Sequence, residues 1–209
     1  MGNMEEVRTT GIVLAAGAGT RLGKGPKALL PYRGRPLVES VAGALLDGGC
    51  REVVVVLGAG APDVAAIAEL DRYRTVVNHE WQSGMGSSLL LGNASADPRD
   101  HLMVALVDQP GLTPRAVGRL LAAHRAGRVT AAAYDGGAAA TEGAGGGFRR
   151  GHPLVIDAGL RDAVAGTVTG DSGARGFLQA HPELVDEVDC SDLSTGLDVD
   201  TPEQLYLLG

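Results

Sequence analysis

Between Gly17 and Lys27 the chain reads GAGTRLGKGPK. Glycines let backbone N–H groups come close to an anion, and Arg21 and Lys27 add full positive charge. A loop of this composition suits a polyphosphate. Two familiar phosphate motifs do not fit it. The P-loop pattern around Gly23-Lys24 requires a glycine where Ala18 stands and Ser or Thr where Gly25 stands. The dinucleotide fingerprint begun by Gly17 and Gly19 requires a third glycine where Leu22 stands. Two readings stay open: a glycine turn with solvated cations, or an anion loop of another kind.

Other chemistry-bearing residues lie downstream. Asp108 ends the apolar run HLMVALVDQP, and Asp200 ends LDVD just before Thr201-Pro202, with Asp198 as a rival on the same strand face. Each aspartate also suits a plain helix cap. NHEWQSGMGSSL sets Gly86, Ser87 and Ser88 before an apolar helix start, where their donors suit a phosphate or the polar edge of a ring, or an ordinary cap. Trp81 reads as core packing, with a lid as the alternative. RRGHP supplies Arg149, Arg150 and His152, and GDSGAR supplies Asp171 and Arg175. His79, His101, His124 and His181 show no metal-ligand spacing and read as background.

These residues must be positioned by alternating elements. GIVLAA, EVVVVLG and HLMVALV are continuous apolar runs, as strands covered on both faces require. RTVVN, VTAAAYD, HPLVI and LVDEVD are further strands. Leu37, Val41, Ala44 and Leu45 recur at helical spacing, and a helix led by Pro62 sets Val64, Ile67 and Leu70 on one face. Thr113-Pro114 opens another helix, with threonine as N-cap. Helices over Ala174 to Ala180 and from Pro202 complete the pattern. Such alternation predicts a single-domain, Rossmann-like α/β fold with a mostly parallel sheet and helices on both faces. Ligands bind beyond the carboxyl ends of such strands, where the glycine loop, Asp108 and GMGSS all fall. DGGAAATEGAGGGF, from Asp135 to Phe148, is low in complexity and reads as a mobile loop inside the domain.

Composition narrows the class. The 209 residues carry a net charge of −7 and are 44% apolar. A globular fold is expected, with no basic face for nucleic acid or a membrane surface. Cys50 and Cys190 form no disulfide framework or zinc pattern, so a cytoplasmic setting is the expectation. The acidic, polar N-terminus does not read as a signal peptide.

LAAGAGTRLGKGPKALLP resembles the opening signature of nucleotidyltransferases that join an NTP to a phosphate-bearing acceptor. NHEWQSGMGSSL, DQP, RRGHP, GDSGAR and DVDTPEQL then follow in the order of the MobA-like group. Within it they are most similar to molybdenum cofactor cytidylyltransferases. The resemblance implies transfer of CMP from CTP to the phosphate of molybdopterin, with loss of pyrophosphate. It places Leu14, Ala15, Ala16, Gly17, Gly19, Thr20, Arg21, Lys27 and Asp108 at the nucleotide, with Arg21, Lys27 and Asp108 catalytic. It places Asp108 and Asp200 on Mg²⁺, a hard ion suited to oxygen ligands. It assigns the acceptor to Gly86, Ser87, Ser88, His152, Asp171 and Arg175. A recipient molybdoenzyme of the xanthine dehydrogenase type is the implied partner. Ala16-Gly17 matches the cytidylyl rather than the guanylyl subgroup, with GTP as the alternative nucleotide. Thr20 and Leu22 stand closer to sugar-nucleotide enzymes, which keeps a sugar phosphate or another small phosphate ester as an alternative acceptor. A non-catalytic cofactor-delivery protein is the alternative of a different class.

Overall fold

The computed structural model describes residues 8–136 and 148–209. Its centre is a seven-stranded sheet of β1 (Thr9–Ala15), β4 (Glu52–Leu57), β5 (Arg74–Val77), β6 (His101–Leu106), β7 (Val129–Asp135), β8 (Phe148–Ile156) and β9 (Val185–Asp189). The spatial order is β5-β4-β1-β6-β8-β7-β9. β1 pairs in parallel with β4 and β6, β4 with β5, and β7 with β9. Only β8 runs against its neighbours, β6 and β7. The mostly parallel α/β sheet is therefore as expected, with one reversed strand that the apolar run HPLVI gave no sign of.

Alternation along the central strands divides the core. Val13, Val55 and Met103 face a cluster that includes Leu37, Val41 and Leu45 of α1 (Leu37–Asp47) and Val117 and Leu120 of α4 (Pro114–Ala123). Ile12, Val54, Val56 and Val104 face the other side, with Leu89 of α3 (Met85–Ser95), Val164 of α5 (Arg161–Gly166) and Phe177 of α6 (Arg175–Ala180). Helices on both faces are why these strands read as unbroken apolar runs. Thr113 caps α4 as expected, its Oγ1 accepting from the Ala116 amide at 3.2 Å.

Two local expectations need correction, and one element is additional. In α2 (Ala61–Ile67) Val64 is buried but Ile67 is 63% exposed, because the helix stops there before completing the apolar face. The closing helix, Pro202–Leu208, is a 3-10 helix held by a Thr201–Gln204 capping box. A short hairpin, β2 (Pro31–Tyr32) with β3 (Arg35–Pro36), has no counterpart among the elements read from sequence; it turns through Arg33 and Gly34, both at positive φ. Asp135 ends β7 and Phe148 begins β8; residues 137–147 of the expected mobile loop lie outside the described residues. Among the described residues, no helix is long and apolar enough to cross a membrane.

Candidate active site

β1 delivers the chain to Ala15 at the sheet's carboxyl edge, and the glycine loop leaves from there. Gly19 and Gly23 take left-handed backbone angles, φ 64° and 62°, on either side of the 3-10 turn Thr20–Leu22. A side chain at Gly19 would come within 2.3 Å of the Gly25 carbonyl oxygen, so only glycine lets the loop fold back on itself. The loop then returns Lys27 beneath the strand ends. Lys27 Nζ donates to Asp108 Oδ2 at 2.8 Å and forms a second ion pair with Asp200 Oδ1. Asp108 follows β6, two residues past its end, and its carbonyl accepts the Val199 amide at 2.9 Å, which ties the LDVD segment to that strand. Residues far apart in sequence thus meet as one cation between two carboxylates.

Burial alone would pull the Lys27 ammonium down, but the charges and hydrogen bonds of Asp108 and Asp200 together hold its pKa above the ordinary value. Asp108 Oδ1 is buried and has no hydrogen-bond partner. An orphaned carboxylate oxygen beside a second carboxylate is a donor set for a hard divalent cation. Asp198, the rival to Asp200, has another partner: it accepts from Gln109 Nε2 at 2.8 Å. Its pKa is raised by burial and then by the nearby Asp108 charge.

A cavity of about 400 Å³ opens over this cluster, lined by Leu14, Ala16, Gly17, Thr20, Lys27, Trp81, Ser88, Asp108 and Asp171 among others. Trp81 is half-buried and forms part of its wall, which corrects the core-packing expectation. It sits over Gly58 beside Ala16: a Cβ at Gly58 would meet Ala16 Cβ at 2.7 Å and Trp81 Cβ at 2.8 Å. Arg21 is exposed and does not line this cavity.

The GMGSS segment packs against the GDSGAR loop. The Gly86 amide donates to the Gly170 carbonyl at 2.8 Å, and the Met85 amide to Asp171 Oδ1 at 3.0 Å. Asn78 Nδ2 donates to both Ser87 Oγ and Ser88 Oγ. Gly84, Met85, Ser88 and Asp171 of these two segments line the cavity; Gly86 and Ser87 do not. Donors read as free for a ligand are here largely joining α3 to the loop at Thr169–Gly173.

A second cavity of about 370 Å³ adjoins the first and shares Met85 and Leu106 with it. Its lining includes His152, Arg149, Arg150, Arg175, Gln109 and Asp198. Burial, and then the positive Arg175, push the His152 pKa down to about 4. The imidazole is neutral at pH 7 and adds no charge to the arginines. No sequence signal pointed to Gln109 or Met85 as lining residues, since their places depend on how β6 and α3 pack.

Residues 11–185 match the MobA-like NTP transferase domain. A curated relative from Paenarthrobacter nicotinovorans, named nicotine blue oxidoreductase, is 61% identical over 208 residues and covers 100% of both chains. The molybdenum cofactor guanylyltransferase of Xanthomonas euvesicatoria pv. vesicatoria is 36% identical over 54% of this chain and 53% of its own. A crystal structure of a Mycobacterium tuberculosis H37Rv protein in complex with manganese superposes with a TM-score of 0.77, at 26% identity, over 97% of this chain and 98% of that one. The domain match takes in the glycine loop, Lys27 and Asp108 together, and the chain belongs to the MobA-like NTP transferase family.

Proposed function

We propose that this nucleotidyltransferase moves CMP from CTP to the terminal phosphate of a molybdopterin-type acceptor. A phosphate oxygen of the acceptor attacks the α-phosphorus, the bond to the bridging oxygen of the β-phosphate breaks, and pyrophosphate leaves. The observation that carries the reading is the Lys27–Asp108–Asp200 cluster beneath a glycine loop, with an adjoining arginine-lined cavity. Lys27 opposes triphosphate charge, and the loop from Gly17 to Gly23 wraps the phosphates. Arg21, exposed beside the loop, is free to pair with phosphate oxygens. Ala16 and Trp81 flank the space for the base, while His152 and Arg175 meet the acceptor. Asp108 and Asp200 would hold Mg²⁺ or Mn²⁺, which supplies charge neutralisation to the phosphates when bound.

The relative named as an oxidoreductase matches the whole chain, and it favours a second reading: reduction of nicotine blue or a similar pigment. That reaction needs a two-electron donor of the reduced nicotinamide or flavin class in the same cleft. One experiment separates the two. The purified chain is incubated with Mg²⁺, each of the four NTPs, and molybdopterin or a sugar phosphate, with pyrophosphate and product mass recorded. A parallel reaction follows bleaching of nicotine blue by NADH. Pyrophosphate release and a cytidylylated pterin support the first reading. Bleaching without transfer to any acceptor overturns it in favour of the second.

A further inference from the structure

At the end of the sheet opposite the cleft, three residues from separate segments converge. His101 begins β6, His124 follows α4, and Asp157 follows β8. One ligand atom from each lies within 4.8 Å of the others. Asp157 Oδ2 is 3.5 Å from His101 Nδ1 and 3.9 Å from His124 Nε2. Two ligands on one tetrahedral ion, at bond lengths of about 2.0–2.2 Å, stand roughly 3.3–3.6 Å apart, so small side-chain shifts close this set around a metal.

A second observation points the same way. His124 Nε2 is buried without a hydrogen-bond partner, on a side chain only 6% exposed. His124 Nδ1 lies 2.9 Å from Thr130 Oγ1. In the tautomer with Nδ1 donating to that hydroxyl, Nε2 carries a lone pair facing a carboxylate, and a metal ion between the two satisfies both. Such an outer hydrogen bond is how ligating imidazoles are oriented. Asp157 is fixed similarly, with Oδ1 accepting the Gly159 amide at 2.8 Å and Oδ2 left toward the histidines. Burial lowers the pKa of both histidines, to about 4 for His124, and the neutral imidazole is the ligating form. The Ala158 amide donates to His101 Nδ1 at 3.0 Å, so an ion must compete with that bond. A cavity of about 410 Å³ lined by Arg8, Thr9, Arg51, His101 and His124 gives a path from solvent and room for a water as fourth ligand. Arg51 is already paired with Asp100 at 2.8 Å, which softens the positive charge at that entrance.

We propose that His101, His124 and Asp157 bind a divalent transition metal of the zinc class, clipping the start of β6 to the ends of α4 and β8. This site is separate from any cation in the nucleotide cleft. The donor set of two imidazoles and a carboxylate suits Zn²⁺ or Co²⁺ and not Mg²⁺.

The test uses the full chain carrying Asp108→Asn and Asp200→Asn, so that the cleft acids do not contribute. After chelator treatment it is titrated with Co²⁺. One equivalent should give visible absorption of a four-coordinate ion, displaced by Zn²⁺ and lost on adding His124→Gln or Asp157→Asn. Should those variants fail to fold, ring-nitrogen NMR of the unsubstituted chain decides. Zn²⁺ should shift His101 and His124 and leave His79, His152 and His181 in place. Absence of a four-coordinate Co²⁺ spectrum, or unmoved His101 and His124 nitrogens at millimolar Zn²⁺, overturns the proposal.

Discussion

Asp108 combines a hydrogen bond to Lys27 with an oxygen that has no partner, and those two features separate its roles. Replacing it by Asn keeps the shape and removes the charge that a cation needs. Asp108→Asn is expected to lower kcat/KM about a hundredfold, which corresponds to about 3 kcal/mol of lost transition-state stabilisation. Circular dichroism should show the variant folded; near-normal turnover would remove Asp108 from the reaction. Lys27→Ala should reduce turnover well beyond Lys24→Ala, because Lys24 is exposed and Lys27 is held between the two carboxylates. Equal losses in a steady-state comparison would mean the loop binds phosphate through another register. Ala16 is a finer matter. Its methyl group shares the wall over Gly58 with Trp81. Ala16→Gly is expected to relax a preference for CTP over GTP without inverting it, since one methyl discriminates by only about 1–3 kcal/mol. The ratio of kcat/KM for the two nucleotides reads this directly.

Elements are joined at this site by close backbone approach. A Cβ at Gly86 would lie 2.7 Å from both the Gly170 carbonyl oxygen and Val168 Cγ1. Neither the loop carbonyl nor the packed valine gives way cheaply. Gly86→Ala should therefore push the start of α3 from the Thr169–Gly173 loop and cost about 1–3 kcal/mol of stability. It should also break the hydrogen bond from the Gly86 amide to Gly170. Thermal denaturation reads the first effect, and faster amide exchange at residues 85, 86 and 170–173 reads the second. A variant as stable as the parent, with unchanged exchange, would show that this contact is looser than its distances indicate.

Across the whole molecule the strand ends are divided by chemistry. The carboxyl ends hold the glycine loop and the acidic pair, and the opposite end holds the partly buried His101–His124–Asp157 cluster. Beside the cleft, His152 couples stability to pH. Its pKa is about 4 in the folded protein, below an ordinary value of 6.5. Between those values the unfolded chain binds the extra proton and the native state does not, so stability is full above pH 6.5 and falls as the pH drops toward 4. The contribution lost is at most on the order of 3 kcal/mol. Across urea unfolding midpoints taken from pH 7.5 to 4.5, the parent should fall more steeply toward acid than His152→Gln. Parallel curves would assign the acid sensitivity to other groups.

Sequence by itself determined the elements whose signals are local. Unbroken valine and leucine runs gave β1, β4 and β6, because strands covered on both faces need no polar side. Thr113-Pro114 gave the start of α4, because a cap and a fixed φ act within one turn. The glycine loop and Asp108 were legible as candidates from residue type and position after a strand, and Lys27 from its charge beside the loop, with the resemblance to a family deciding among their readings. Tertiary structure alone decided which candidates meet. It chose Asp200 over Asp198 as the partner of Lys27, while Asp198 is taken by the Gln109 side chain. It reversed β8, turned Trp81 toward the cleft, and used the GMGSS amides to join two segments. It also gathered His101, His124 and Asp157, whose spacing along the chain carries no ligand pattern. Contacts between residues 23 and 33 positions apart depend on how strands β6 and β8 and helix α4 pack. Local periodicity does not encode that packing.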